Sequence, residues 1–511
     1  MIQEHRVWLA AILSSVVLVA SAQLFGRTSP PKEFPHPQTI QPHPADVPRE
    51  TQLQPIPNEE VVELQSQQLL LAIGKESASV RAVTLKGYTN IHEKNPLKFG
   101  NTVPILAVSV GDRRNTWTSN ELTPTTASWF SDPAPGISSR MIVEMESDNP
   151  VYAVSVILKN VSEQPQRIPV KLTASWKRGD EIAGNYNILE AVLLTEKTTP
   201  WQRTHLTYRD GTTQPRDVPR GTSLMTLSER FFCQSVKFGA DRPVSATLMP
   251  AAKGEIAVMA ESVVDVAPYG SARYDATVYA GPRDFFRLRD AGFEQAFATG
   301  LLVKIGLFLM FLLKLIASVV RNYGTAIIIL AAGVTAALSP FTMISFRSMK
   351  KMQELQPKME QLKAKYANDP QRVNKETLQL FREHKVSPLS GCLPMLLQMP
   401  IFFALWSAIS HVIELLGEPF LSIKDLSLPD RLAKLPMGID LNVLPILMAL
   451  AMYVQTKLSQ PKAQTPAASM LAGPLMPVLF GVMFYQVPSG LVLYWLTNSL
   501  TSILWYRLAK I

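Results

Sequence analysis

Cysteine is nearly absent: Cys233 and Cys392 are the only two in 511 residues. One falls in a polar, strand-like stretch and the other in an apolar run, so no disulfide framework is expected, and no C-x-x-C spacing offers a metal site. Charge is scarce as well, at 18% against 47% hydrophobic residues, which is too apolar for an ordinary soluble protein. The chain has no G-x-x-x-x-G-K-[ST] phosphate loop, no H-E-x-x-H and no G-x-S-x-G, and its seven histidines are scattered. These absences remove the case for hydrolysis of nucleotide or peptide, for a metal and for a cofactor, so the chain is not expected to be an enzyme. A formal charge of +9 leaves nucleic acid or an anionic membrane surface as partners, and the placement of the basic residues decides between them.

Residues 7–24, VWLAAILSSVVLVASAQL, carry no charge and are about long enough to span a bilayer. Ala20-Ser21-Ala22 also has the small-residue pattern of a signal-peptidase site. We expect an anchor over 1–25. Prolines at 30, 31, 35, 37, 42, 44, 48, 55 and 57 then give a semi-extended tether over 26–58. From 59 to 288 short alternating runs such as VYAVSVILKNVS (151–162) and IPVKLTASWKRG (168–179) are separated by Gly, Pro, Asn and Asp, the texture of an antiparallel β-sandwich. After Arg289 the chain turns helical and apolar. Spans are expected at about 324–346, 391–410 and 441–457. The 44 uncharged residues between Lys462 and Arg507 fit two more, at 469–487 and 489–507, with QVPSG as their turn. With the anchor, six spans result.

The stretch 293–321 is the ambiguous one. Within it Lys304, Lys314 and Arg321 occupy roughly one third of a helical wheel, which predicts an amphipathic helix lying in the interface rather than a seventh span. Charge parity agrees. Segment 347–385 holds ten basic and five acidic residues, whereas loop 411–440 holds three basic and five acidic. Six spans with a cytoplasmic N-terminus put the basic segment inside and the loop outside.

Residues 347–386 read as a cytoplasmic helical hairpin. Met352, Leu355, Met359, Leu362 and Tyr366 recur at steps of 3 and 4, a coiled-coil seam. Asn368-Asp369-Pro370 supplies a stop, an N-cap and an N1 proline, and Val373, Thr377, Leu380 and His384 form the facing stripe. Pro340 and Pro357 are expected to kink the stalk. Contacts to emerging chains or ribosomes are assigned to Met352, Lys358, Met359 and Lys363. In the membrane half, Ala331, Thr335, Ser339 and Thr342 form a small, hydroxylated stripe. Gln398, Trp495 and Asn498 add polar groups in later spans, and together these seven residues are the expected lining of a wet groove.

Several runs carry a family resemblance: NYGTAIII (322–329), SPFT and SMKKMQELQPKMEQLK within 339–363, HKVSPLSGCLPMLLQMPIFFALW (384–406) and VPSGLVLYWLTNSL (487–500). With the order of elements, they make the chain similar to the YidC/Oxa/Albino family of membrane protein insertases in its Gram-negative form. The resemblance implies a multi-pass protein of the bacterial inner membrane with a periplasmic β-supersandwich. It also implies a helical core over 289–511 that inserts and helps fold membrane proteins. Its partners would be nascent membrane proteins, the Sec translocon and accessory subunits, ribosomes and the lipid bilayer, with no DNA. The family usually carries an arginine in the groove; Thr335 stands at that place here, and Trp495 stands where well-known members have a second tyrosine after Tyr494. Two other readings are a solute transporter or channel, which calls for inverted repeats and an intramembrane ionisable group, and a membrane-anchored carbohydrate-binding protein, which calls for carboxylates such as Glu146, Asp180 and Glu190 in one cleft.

Overall fold

The computed structural model describes residues 59–508 apart from 90–95, 101–103, 112–114, 178–188, 196–202, 208–215, 219–220, 240–243, 250–253, 298–300, 368, 385, 387–392, 435–439 and 460–474. The expected anchor and tether, together with Asp180, Asn368 and Cys392, lie outside the described residues.

Between Val61 and Pro282 the described residues form eighteen strands in two nine-stranded antiparallel sheets. Alternation in the sequence explains them. Ile137–Met145 buries every second residue along its length, as the two-residue period of a strand requires. One sheet is built around Gln166–Lys177, paired with Glu255–Val266 in unbroken register over its twelve residues. The other is built around Ser271–Pro282, held between Val151–Asn160 and Phe232–Phe238. Leu71, Val83, Leu172 and Val258 from the first sheet and Met141, Val156, Met225 and Val278 from the second share one core, which makes the pair a sandwich. Cys233 is a buried free thiol, pushed up to about 12 by its burial and therefore inert.

The helices that follow are α1 (Phe285–Asp290), α2 (Leu301–Val320), α3 (Tyr323–Glu354), α4 (Gln356–Lys365), α5 (Pro370–Glu383), α6 (Leu393–Ser410), α7 (Val443–Ser459), α8 (Met476–Met483) and α9 (Ser489–Leu508). The single helix anticipated over 293–321 is shorter. Gly292, at φ 75°, ends the turn after α1, a 3-10 turn covers Glu294–Ala296, and α2 runs only from Leu301. By length and composition, Leu301–Val320 and Tyr323–Ile344 are each capable of crossing a membrane, and Gln398–Ser410 and Val443–Leu458 are shorter apolar helices.

The helices share a second core, with Leu309 and Leu313 from α2, Ile327 and Leu330 from α3, Phe402 and Leu405 from α6, and Leu491 and Tyr494 from α9. Two glycines permit close packing, one against a backbone and one against a ring. A Cβ on Gly306 would stand 2.6 Å from the Ala404 carbonyl oxygen of α6, and one on Gly324 would fall inside the Phe420 ring.

Sheets and helices belong to one compact unit, residues 52–511, and polar contacts join them. Asp284 caps α1, its Oδ1 accepting from the Phe286 and Arg287 amides at 3.1 Å. Its Oδ2 accepts from Lys314 Nζ of α2 at 2.7 Å, and the same ammonium reaches Glu414 Oε1, in the loop after α6, at 2.9 Å. Beside this cluster Arg283 pairs with Glu190 at 3.0 Å, and Arg230 Nε donates to the Ser410 carbonyl at 2.9 Å. Ile413 completes the joint by entering the sandwich core. Lys314 is thus committed to two carboxylates, while Lys304 and Arg321, its companions on the wheel, are exposed.

Loss of the ammonium leaves Asp284, whose side chain is 1% exposed, without its cation. Stranding a fully buried charge costs roughly 3 to 5 kcal/mol; Lys314 is 24% exposed, so Lys314→Met is expected to cost about 2 kcal/mol after solvent screening. Thermal unfolding in detergent measures it. Adding Asp284→Asn should restore part of the loss, and strictly additive effects would show that the pair is not coupled.

Candidate functional site

The hydroxylated stripe of α3 follows helical spacing and is satisfied within its own helix. Ala331 is fully buried against the helical core and Thr335 is buried beside it. Thr335 Oγ1 donates to the Ala331 carbonyl at 2.7 Å, and Thr342 Oγ1 donates to the Leu338 carbonyl at 3.0 Å. Their protons are therefore spent on the helix, and only oxygen lone pairs remain to offer. Thr335, Ser339 and Thr342 line a small recess with Met343 of α3 and with Ser502 and Trp505 of α9. Asn498 is one turn above Ser502, whose hydroxyl donates to Asn498 Oδ1 at 3.4 Å. Gln398 of α6 donates to the Tyr494 hydroxyl at 3.3 Å.

Of the seven residues expected in a groove, Thr335, Ser339 and Thr342 line the recess, Ala331 is packed in the helical core, and Gln398 and Asn498 are hydrogen-bonded to Tyr494 and Ser502 of α9. Trp495 sits elsewhere. Its ring centroid is 4.8 Å from that of Phe402 and 5.6 Å from those of Phe480 and Phe484, an aromatic layer two turns along α9 from Ser502. Tyr494, Met343 and Trp505 belong to the constellation but escape a search for polar residues alone. Helical spacing could have found them, since 498, 502 and 505 share one face of α9, Tyr494 lies one turn before Asn498, and Met343 lies one turn after Ser339 in α3.

Along and beyond the recess α3 runs unbroken through Pro340 to Glu354. It ends at Leu355, where Pro357 becomes an early residue of α4, so Pro357 breaks the helix rather than bending it. Asp369 caps α5, accepting from the Arg372 amide at 3.0 Å, with Pro370 in the first turn. Leu355, Met359, Phe381 and Val386 form a small core, with Met352 and Leu380 packed beside it. Met359 is therefore interior to the hairpin and not available at its surface. The facing stripe centres on Phe381, one residue round from the expected one, because a phenyl ring buries far more apolar surface than His384 would. His384 is exposed, its Nε2 3.3 Å from Lys358 Nζ. Lys358 is exposed and Lys363 half-buried; Lys350, Lys351, Lys365, Arg372, Lys375 and Arg382 are also exposed.

Residues 315–509, which hold every groove and hairpin residue described here, match the family model for the 60Kd inner membrane protein. The match takes in most of the helical region of this chain and none of its sheets. A membrane protein insertase YidC from Anaeromyxobacter sp. (strain Fw109-5) is 42% identical over 240 residues, 46% of this chain and 42% of that protein. One from Pelobacter propionicus is 41% identical over 245 residues, 47% of this chain and 45% of that protein. The chain thus spans less than half the length of the curated relatives it matches. A solved structure described as an active YidC insertase with the first transmembrane domain resolved aligns with 88% of this chain and 92% of its own, at 19% identity and a TM-score of 0.38. The family region starts within α2 at Leu315, so the sheets lie outside it. Glu190, weighed above as a sugar-cleft acid, is engaged by Arg283 at the joint.

His411 follows the C-terminal end of α6, its Nδ1 2.7 Å from the Ser407 carbonyl. Burial, then Arg283 and with it Arg230, hold the imidazole down to about 4, against the opposing pull of the Ser407 carbonyl and Glu190. A folded-state value below the ordinary 6.5 means that the neutral ring is favoured by folding. The associated stability is complete above about pH 6.5 and is lost as pH falls toward 4. Thermal midpoints between pH 7.5 and 4.5 should fall more steeply for the parent protein than for His411→Gln, and parallel curves would show that the ring does not titrate in this way. Independently, Phe381→Ala removes the largest residue of the hairpin core. Phe-to-Ala losses run at roughly 3 to 5 kcal/mol, more than so small a core is expected to withstand. Hydrogen exchange should accelerate across 356–383 while protection in 323–340 is kept.

Proposed function

We propose that this protein is a membrane protein insertase and chaperone of the bacterial inner membrane, in which a neutral polar groove carries the hydrophilic tail of a client. The observation that carries the proposal is the recess of Thr335, Ser339, Thr342 and Ser502 between α3 and α9, within the region matching the 60Kd family. Span 324–346 contains no Lys or Arg.

The topology we favour has six spans, with the sheets outside and the basic hairpin inside. Two observations support a boundary position for α2. Val303, Gly306 and Met310 border the same small space as Arg283, Asp284 and Phe285, and Lys314 pairs with Asp284. From Val303 to Lys314 is about 16 Å of helix, all of it beside one short segment at the foot of the sandwich. A helix crossing the bilayer would leave that segment behind within two turns.

Without nucleotide chemistry, the work comes from partitioning. A client helix gains about 0.3 to 0.6 kcal/mol for each central Leu, Ile, Phe or Val that enters lipid, so some twenty such residues offset the transfer of a short polar tail. The groove lowers the barrier and supplies no net energy. The exposed lysines and arginines of the hairpin suit ribosomal RNA or the anionic leaflet; the Sec translocon and its accessory subunits are the expected co-workers. Because the Thr335 and Thr342 protons are bound to their own helix, the hydroxyls act as acceptors. They receive backbone N–H groups and amides, and they hold no charge to attract carboxylates.

Insertion of single-span clients into vesicles containing only this protein tests the proposal. Clients whose acidic tail residues are exchanged for Asn and Gln should insert at least as well as the acidic originals. No insertion of either kind would overturn the insertase reading. A strong preference for acidic tails would instead overturn the neutral groove. In the same assay Thr335→Arg should shift the preference toward acidic tails if the recess is wet, whereas loss of the folded protein would identify the stripe as a packed interface.

A further inference from the structure

Exposed apolar residues at turn tips are ordinarily few, and when one is held rigidly in a disfavoured conformation its exposure needs a cause. Leu421 is such a residue. It is 90% exposed, against 75% for Leu301 at the start of α2, and its φ is 51°, the left-handed region that a leucine side chain resists. The turn that carries it is fixed on both sides. Phe420 and Ile423 exchange backbone hydrogen bonds, each at 2.9 Å. Phe420 covers Gly324 at the start of α3, Asn322 Nδ2 donates to the Pro419 carbonyl at 3.3 Å, and Ile423 and Leu426 are buried in the helical core. The tip is therefore presented by a firm base that meets the chain where the apolar part of α3 begins. Close by, Leu315 and Val319 on the last turns of α2 are exposed. Two basic residues stand next to these segments in the chain, Arg321 directly after α2 and Lys424 directly after Ile423, and both are exposed. Of the acids in this loop, Glu418 accepts from the Tyr323 amide at 3.5 Å and Asp425 is buried, accepting from the Ser427 amide.

We propose that the turn Phe420–Ile423 is a leaflet anchor. Leu421 lies among the acyl chains just below the headgroups, continuous with the lipid-facing edge of α2 and α3, while Arg321 and Lys424 meet the phosphates of anionic phospholipids. The arrangement of an apolar tip between two cations is complementary to a leaflet, whose charge lies outside its hydrocarbon. The anchor sets the depth at which α3 and its groove begin, because the turn and the first residues of α3 are bonded to each other. The inference rests on the reading of Tyr323–Ile344 as a span.

Nitroxide labels on Leu421→Cys, on Ile329→Cys in α3 and on the exposed Gln164→Cys of the sandwich test it, in the full-length protein reconstituted into phosphatidylethanolamine–phosphatidylglycerol vesicles, with the unsubstituted protein as the labelling blank. The ratio of collision rates with oxygen and with a water-soluble nickel chelate reports depth. The ratio at 421 should exceed that at 164 several-fold and fall below that at 329. A water-like value at 421 with a lipid-like value at 329 overturns the anchor and leaves the span standing. A water-like value at 329 overturns the span reading, and the anchor with it. Low collision with both reagents at 421 would mean that protein covers the tip, which also overturns the anchor. In these vesicles the Arg321→Gln, Lys424→Gln double variant should move the 421 label toward water, and in phosphatidylcholine vesicles it should not. An unchanged reading in the anionic vesicles would overturn the role of the two cations.

Discussion

One ammonium group ties the two halves of this protein together. Lys314 sits in a helix that is otherwise almost free of charge, and it is held by a carboxylate from the end of the sandwich and another from the loop after α6. Taking a lysine this far out of water is costly unless its charge is answered. The answer comes from segments 130 residues apart in the chain, so the ammonium is comfortable only when the sheets, α2 and the loop after α6 are all in place. The neighbouring Arg230 and Arg283 contacts have the same character, a cation from the sandwich side given to an acceptor across the joint or beside it. This polar seam separates two apolar cores that would otherwise have no reason to meet in one orientation.

Within the helical half a different constraint operates. Backbone and side-chain polar groups at bilayer depth must find partners in the protein. The threonines of α3 meet it locally by returning their protons to carbonyls one turn back. Thr497 of α9 does the same toward the Leu493 carbonyl. Gln398 and Tyr494 meet it across helices. A recess furnished in this way remains polar without carrying charge, and it costs far less to keep in a membrane than an arginine at the same place, for which insertion scales give about 2.5 to 3.5 kcal/mol.

Period and punctuation made much of the fold legible in the sequence. Alternation marked the strands of the sandwich, and the Asp369-Pro370 pair announced the start of α5 to the residue. The stripe at 331, 335, 339 and 342 was visible because helical spacing is fixed. Other features were hidden for physical reasons. Lys314 read as one of three solvated charges on a wheel, since nothing local in the chain shows that Asp284 and Glu414 converge on it. Trp495 read as groove because it shares a face with Asn498, but aromatic rings seek one another, and Phe402, Phe480 and Phe484 hold it in their own layer. Met359 read as a contact surface, although a two-helix hairpin has too little apolar material to leave its best residue outside. The facing stripe of α5 was displaced by one position because a periodicity argument weighs Phe381 and His384 equally and burial does not.

The unbroken run of α3 from Tyr323 to Glu354 joins the membrane half of the molecule to the hairpin without a loop. Its 32 residues make a rod of about 48 Å, of which the last ten project about 15 Å beyond the apolar segment. Such a rod behaves as a lever. With Pro340, where one backbone hydrogen bond is missing, as the natural fulcrum, a tilt of about 10° would swing the far end, about 21 Å away, by about 4 Å. At Leu355 this helix gives way to α4, so a load applied to α4 and α5 arrives at Thr342, beyond the proline, as a change in the angle of its own helix against Thr335 and Ser339. A touch on the hairpin and the width of the recess are, in mechanical terms, two ends of one bar.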